Sequence, residues 1–194
     1  MPKSSTPLAE ARFVGDNLAL DFINTRYGVG AAERECFVDD ASVIAWLRQA
    51  EALPDDVQVA PHDLLQLALE LRENAEELVT AAKLRIATEV HVINRVLRSG
   101  AGIQELRWDA ASQSYRVFSA RRQCDAASLL YPVAEALVAL LTDTPLDLVK
   151  ACEAHDCTLL FHDVTKSHRR RWCSMAACGN RMKVAAFRER KRAE

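Results

Sequence analysis

Two cysteine pairs constrain this chain more than any other feature: Cys152-x4-Cys157 and, fifteen residues later, Cys173-x4-Cys178. Each pair spans a short turn, and the segment between them is long enough for a β-hairpin. Four thiolates so spaced satisfy a closed, tetrahedral structural zinc site, with each sulfur at about 2.3 Å from the ion and no open coordination position. Four of the six cysteines fall within 27 of 194 residues, a clustering not expected of scattered core or disulfide cysteines. One zinc ion per chain is the implied cofactor. His155, His162 and His168 lie in the same region, but four cysteines already close the site. Cys36 and Cys124 have no partner pattern and read as small core or surface residues.

The length and the 49% hydrophobic content allow one sizeable core plus a small module. No uninterrupted apolar run reaches 18 residues, so no membrane span is expected. Residues 1–10 lack the apolar stretch of a signal peptide and read as a flexible terminus. A reducing, cytoplasmic compartment is the default, and there thiols bind metal more readily than they pair.

The net charge of −2 conceals a division along the chain. Residues 158–194 hold ten Lys/Arg against three acids, a net of +7, which leaves −9 for the remainder. Such asymmetry points to a polyanion-binding tail on an acidic body. The candidate nucleic-acid contacts are Arg169, Arg170, Lys183, Arg188, Arg190, Lys191 and Arg192, which could meet a phosphate backbone.

Taken in order, the pattern predicts a short helix after Asp16, its candidate cap, with Asn17, Asp21 and Asn24 forming a polar stripe at i, i+4 and i+7. That stripe faces water, forms a buried hydrogen-bond network, or lines a ligand pocket together with Arg72 and Asn94. Further helices are expected over 41–50, capped by Asp39 or Asp40 and ended by 53–56, over 61–86, and over 88–99, closed by Gly100. A hairpin is expected over 103–108 and 115–118, then an apolar helix over 126–141 interrupted by Pro132. The segment 142–145 is the best domain boundary.

Beyond it, the first cysteine pair reads as a knuckle, 158–161 and 170–172 as hairpin arms, and Ser174 as the cap of a basic helix whose first turn carries Cys178. The fold class is therefore α+β and mainly helical. A helical domain with a small hairpin (11–142) precedes a treble-clef four-cysteine finger with a basic C-terminal helix (146–194).

The run Arg170-Arg171-Trp172-Cys173-Ser174-Met175, followed by Cys178-Gly179-Asn180-Arg181 and Lys183, resembles the CGNR zinc finger. Phe161-x-Asp163 and Phe187-Arg188-x-Arg190 fit the same resemblance. Upstream, Gly15-Asp-Asn-Leu-Ala-Leu-Asp-Phe-Ile-Asn-Thr25 resembles the start of the ABATE domain, which precedes this finger in bacterial proteins described as stress-induced transcription regulators. The resemblance implies a zinc-dependent DNA-binding regulator.

Beside the last ligand, Gly179 permits close backbone approach, the Asn180 amide can tie knuckle to helix, Trp172 packs under the metal, and Arg181 is structural rather than partner-facing. The body then senses a small molecule or mediates assembly, a homodimer being one form. The alternatives are a zinc-stabilised RNA- or protein-binding module and an enzyme with Asp21, Asn24, Arg72 and Asn94 lining its site. For an enzyme, no nucleophile and base stand at a constraining spacing. His162-Asp163 beside a treble clef invites comparison with metal-dependent nucleases, but residues 175–192 offer no second ligand set except Glu189.

Overall fold

The computed structural model describes residues 9–53, 57, 59–120 and 125–193. The expectations for 1–8, for the helix stop at 54–56 and for Cys124 lie outside these residues. Six helices and three two-stranded antiparallel sheets are present among them.

The body is built around its shortest helix, α1 (Leu18–Ile23), whose Ala19, Leu20, Phe22 and Ile23 are buried. The cap is Asn17 rather than Asp16: Asp16 takes a left-handed turn (φ 53°), leaving Asn17 extended, so that its Oδ1 accepts from the N–H of Ala19 and Leu20. Phe22, Phe37 and Trp46 meet with ring centroids 5.4–5.9 Å apart, mostly tilted or edge-on, as the aromatic quadrupoles favour. Strands β1 (Arg26–Tyr27) and β2 (Arg34–Glu35) form a small ribbon beside α1.

Helix α2 (Asp40–Gln49) opens with a reciprocal Asp39–Ser42 capping box. Helix α3 (Leu64–Leu84) buries Leu64, Leu67, Ala68, Leu71, Ala75 and Leu78, and a left-handed Arg85 closes it. In α4 (His91–Gly100), Gly100 is the last helical residue and not a cap. Its lack of a side chain lets α4 lie flush on α5 (Ala126–Asp143): a Cβ there would sit 2.9 Å from Tyr131 Cβ. Pro132 does not interrupt α5. Packing of α1, α3 and α4 against it outweighs a local penalty of about 3 kcal/mol. By length and composition α5 is apolar enough to cross a membrane, against the sequence expectation, but here it is the core helix, with Leu129, Leu130, Val133, Ala134, Leu137 and Leu140 buried. Between α4 and α5 project β3 (Ile103–Asp109) and β4 (Ser114–Ala120), a long hairpin.

After α5 and a 3-10 turn at Leu146–Leu148, β5 (Val149–Ala151) pairs with β6 (Leu160–His162), Val149 opposite His162. The hairpin therefore straddles the first cysteine pair instead of lying between the two pairs. Residues 170–172 remain irregular, because Asp163 and the backbone of Glu153 take up their hydrogen-bonding groups: Arg170 N–H donates to Asp163 (2.9 Å) and Glu153 N–H to Arg171 C=O (3.0 Å). The last helix, α6 (Asn180–Ala193), leaves this module and packs chiefly on the turn before it.

Gly100→Ala should overpack the α4–α5 contact and destabilise the fold by about 1–3 kcal/mol, read as a lower urea midpoint at unchanged slope.

Candidate metal centre

The first cysteine pair sits at the tip of the β5–β6 hairpin, where Cys152 N–H donates to Leu159 C=O (2.9 Å) and Cys157 N–H to Ala154 C=O (3.0 Å). The second pair flanks a turn: the Ser174 side chain accepts from Ala177 N–H, and residues Met175–Gly179 wind as one wide π turn leading into α6. These two loops bring the four Sγ atoms within 4.8 Å of one another. Sulfurs on a tetrahedron at about 2.3 Å from a metal stand about 3.8 Å apart. The Cys157–Cys173 and Cys173–Cys178 Sγ separations are 3.9 and 3.6 Å. None of the three nearby histidines joins the cluster, so the ligand set is four thiolates.

The chemistry of the donors fits a dication. The hydrogen bond with Cys173 lowers the Cys157 thiol to about 5, the same bond and burial push Cys173 far up, and burial raises Cys178 to about 11. Four thiolates at this spacing are compatible only with a strong local positive charge. Protein donors supplement it: Cys173 N–H donates to Cys152 Sγ (3.3 Å) and Arg181 Nη2 to Cys178 Sγ (3.5 Å). Arg181 also clasps Asp156 on the knuckle at 2.6 and 2.7 Å. It is thus Arg181, and not the exposed Asn180, that ties knuckle to helix. A Cβ at Gly179 would lie 2.6 Å from Met175 Sδ and 3.1 Å from Trp172 Cδ1.

A cavity of about 360 Å³ lies between this centre and the body, where Arg12, Arg34 and Arg181 face Cys157, Cys173, Cys178 and Asp156. A zinc–tetrathiolate carries a formal −2 and Asp156 adds −1, so three arginines bring the junction to neutrality. The cavity's positive charge is answered by the metal centre itself.

Two residues that pattern reasoning assigned elsewhere hold finger and body together. Arg170, grouped by sequence with the nucleic-acid contacts, lies over the Phe161 ring (4.3 Å) and donates to Trp172 C=O and Val14 C=O, both 3.0 Å, as well as to Cys173 C=O and the Asp16 carboxylate. Five fixed donors on a planar fork suit such bracing, and they leave this arginine no free face for a phosphate. Asn24 is buried and uses both ends of its amide on one residue of β6: Nδ2–H donates to Leu160 C=O and Oδ1 accepts Leu160 N–H, each at 2.8 Å.

The candidate pocket dissolves on the same grounds. Asn17 caps α1; Asp21 Oδ1 accepts from Val14 N–H (2.9 Å) and Gly15 N–H (2.7 Å), with burial raising its pKa to about 6. Arg72 forms a fork with Glu35 at 2.7 and 2.6 Å and donates to Thr25, and Asn94 is exposed on α4. The polar atoms of Asn17, Asp21 and Asn24 are thus spent on backbone groups. Pattern reasoning missed Asp163 as a structural centre: fully buried, it accepts from Lys150 (2.7 Å), the Thr165 hydroxyl (2.6 Å) and Arg170 N–H. Burial alone would raise its pKa, but these donors outweigh burial and hold it well below the carboxylate range.

The remaining candidates, Arg169 and, on α6, Lys183, Arg188, Arg190, Lys191 and Arg192, are all exposed. None pairs with a carboxylate among the described residues.

Elemental analysis should return one zinc per chain. Arg181→Ala should weaken zinc binding about tenfold or more in chelator competition, whereas Arg192→Ala should not. Because the folded pKa of Asp163 is depressed, its stabilisation is present above the unfolded value of about 4 and is lost as pH falls below it. Asp163→Asn should therefore lower stability at neutral pH by about 1–3 kcal/mol and flatten the acid limb of the stability profile.

Residues 16–144 match the ABATE family, described as "Putative stress-induced transcription regulator", and residues 149–191 match the CGNR zinc finger. Comparison with curated proteins gives no match. With two thirds of its length in the first match and the four ligands in the second, the chain belongs to the ABATE family and carries a CGNR zinc finger behind that domain.

Proposed function

We propose that this protein is a zinc-dependent DNA-binding transcription regulator of the bacterial cytoplasm, with 11–142 as its assembly domain and 146–194 as a treble-clef-like finger that presents α6 to the phosphate backbone. The observation that carries this reading is the state of α6. The helix packs chiefly on the turn before it, its basic side chains beyond the first turn lack carboxylate partners among the described residues, and positive charge is spread around its circumference. A helix neutralised by its own protein would have acidic neighbours at i±3 and i±4, and Glu189 is the single acid between Asn180 and Arg192.

The metal makes this helix usable. Cys178 lies in the turn that starts α6 and Arg181 is locked to the knuckle, so the ligated thiolates set the direction in which the distal helix leaves the finger. Arg169 at the base of the finger is exposed as well. Lys and Arg on such a surface bind phosphates by counterion release, so affinity falls steeply with salt.

Anisotropy titrations of the zinc-loaded chain should show salt-dependent binding to duplex DNA. Replacing Arg188, Arg190 and Lys191 together by Ala should weaken binding across all sequences and reduce the slope of log K against log salt by about 3. The absence of DNA binding with α6 folded, or a preference for RNA over duplex DNA, would sink the reading in favour of an RNA or protein partner.

A further inference from the structure

The β3–β4 hairpin is the largest part of the body that the regulator reading leaves unused. Its two seven-residue strands contact chiefly each other. A lone two-stranded hairpin is marginally stable in water and ordinarily needs an apolar face covered by something else. The register places Leu106 opposite Val117 and Trp108 opposite Tyr115, all four on one face because they alternate along the strands. They are 67%, 61%, 57% and 68% exposed, with the Trp108 and Tyr115 rings edge-on at 5.2 Å. The opposite face keeps its charges to itself in ion pairs, Arg107 with Glu105 and Arg116 with Asp109.

We infer that this face is a homodimer interface, covered in solution by the same face of a second copy. In a two-fold contact the same patch lies on both sides of the axis, so a face of a single charge sign repels itself and an uncharged one does not. The four cross-strand residues carry no charge, although the body that bears them has a strongly negative balance and the tail a positive one. A polyanion finds no cation here, and an acidic or basic protein partner finds nothing to pair with. Area supports the same occupant. Four such side chains offer about 500 Å² per copy, so two faces together bury about 1,000 Å², the lower bound of a specific interface. Tyr and Trp at the centre are the residue types that anchor such contacts. The dimer rests on the assembly role proposed for 11–142 and not on DNA binding, so its failure would remove that role and leave the DNA-binding reading untouched.

Sedimentation equilibrium of the full, zinc-loaded chain between about 1 and 100 µM should show a monomer–dimer equilibrium, the regime of an interface this small. Leu106→Asp combined with Val117→Asp should raise the dissociation constant at least about tenfold, with helical content and zinc stoichiometry unchanged. Should that variant misfold, Tyr115→Ser provides a milder disruption, and Arg116→Ser on the opposite face should leave the dimer intact. As a second readout, emission from Trp108 should shift to the red on dilution, a change lost in Trp108→Phe. A monomer throughout the concentration range, or a dimer as tight in both face variants as in the native chain, overturns the inference.

Discussion

Mutual repulsion of four thiolates is the constraint from which the finger's construction follows. Sulfurs held within 4.8 Å tolerate full ionisation only beside a dication, and the surroundings are arranged to complete what the ion begins. A backbone N–H serves Cys152, the Arg181 guanidinium serves Cys178, and the start of α6 directs its positive dipole end toward the cluster. Arg12 and Arg34 of the body supply the remaining charge from across the junction cavity. The centre is thereby neutralised by side chains close to it, and the distal cations of α6 are left without carboxylate partners among the described residues.

The finger is not an independent bead on the chain. Val149 belongs to the main core, β6 lies on α1, and the Asn24 amide and Arg170 guanidinium cross the junction in opposite directions. Both bridges reach backbone groups across the junction, Leu160 for Asn24 and Val14 for Arg170, so they position the finger as well as hold it. Metal occupancy and the packing of α1 are consequently coupled: loosening the ligand loops frees Cys173 C=O, which helps hold Arg170 against Val14, and disturbs Leu160, on which the Asn24 amide at the end of α1 is held.

Two elements escape this consolidation, and they differ in character. Helix α6 is basic and suits a phosphate surface; the β3–β4 hairpin is neutral, aromatic and flat on one face, and suits its own copy. Pairing two chains through the hairpins would supply two basic helices to one duplex, the usual way in which a weak single contact gains affinity.

How much of this was legible in advance depended on the range of the interactions. Local rules found the four ligands, the Ser174 cap, one of two candidate caps for α2, the β3–β4 hairpin and most helices, because cap, turn and periodicity signals act within a few residues. They misjudged Pro132 and Gly100, where contact between α4 and α5 overrides local preference, and they could not decide among three roles for Asn17, Asp21 and Asn24. They also misread Arg170 as a surface charge, since a guanidinium's partners on Val14 and Asp16 lie more than 150 positions away in sequence. The sequence by itself determined that zinc would be held by Cys152, Cys157, Cys173 and Cys178, because thiolate spacing and charge leave few other outcomes. Only the tertiary structure decided which polar groups brace the finger against the body and which face outward, because burial of Asn24, Asp163 and Arg170 depends on surfaces brought together from distant parts of the chain.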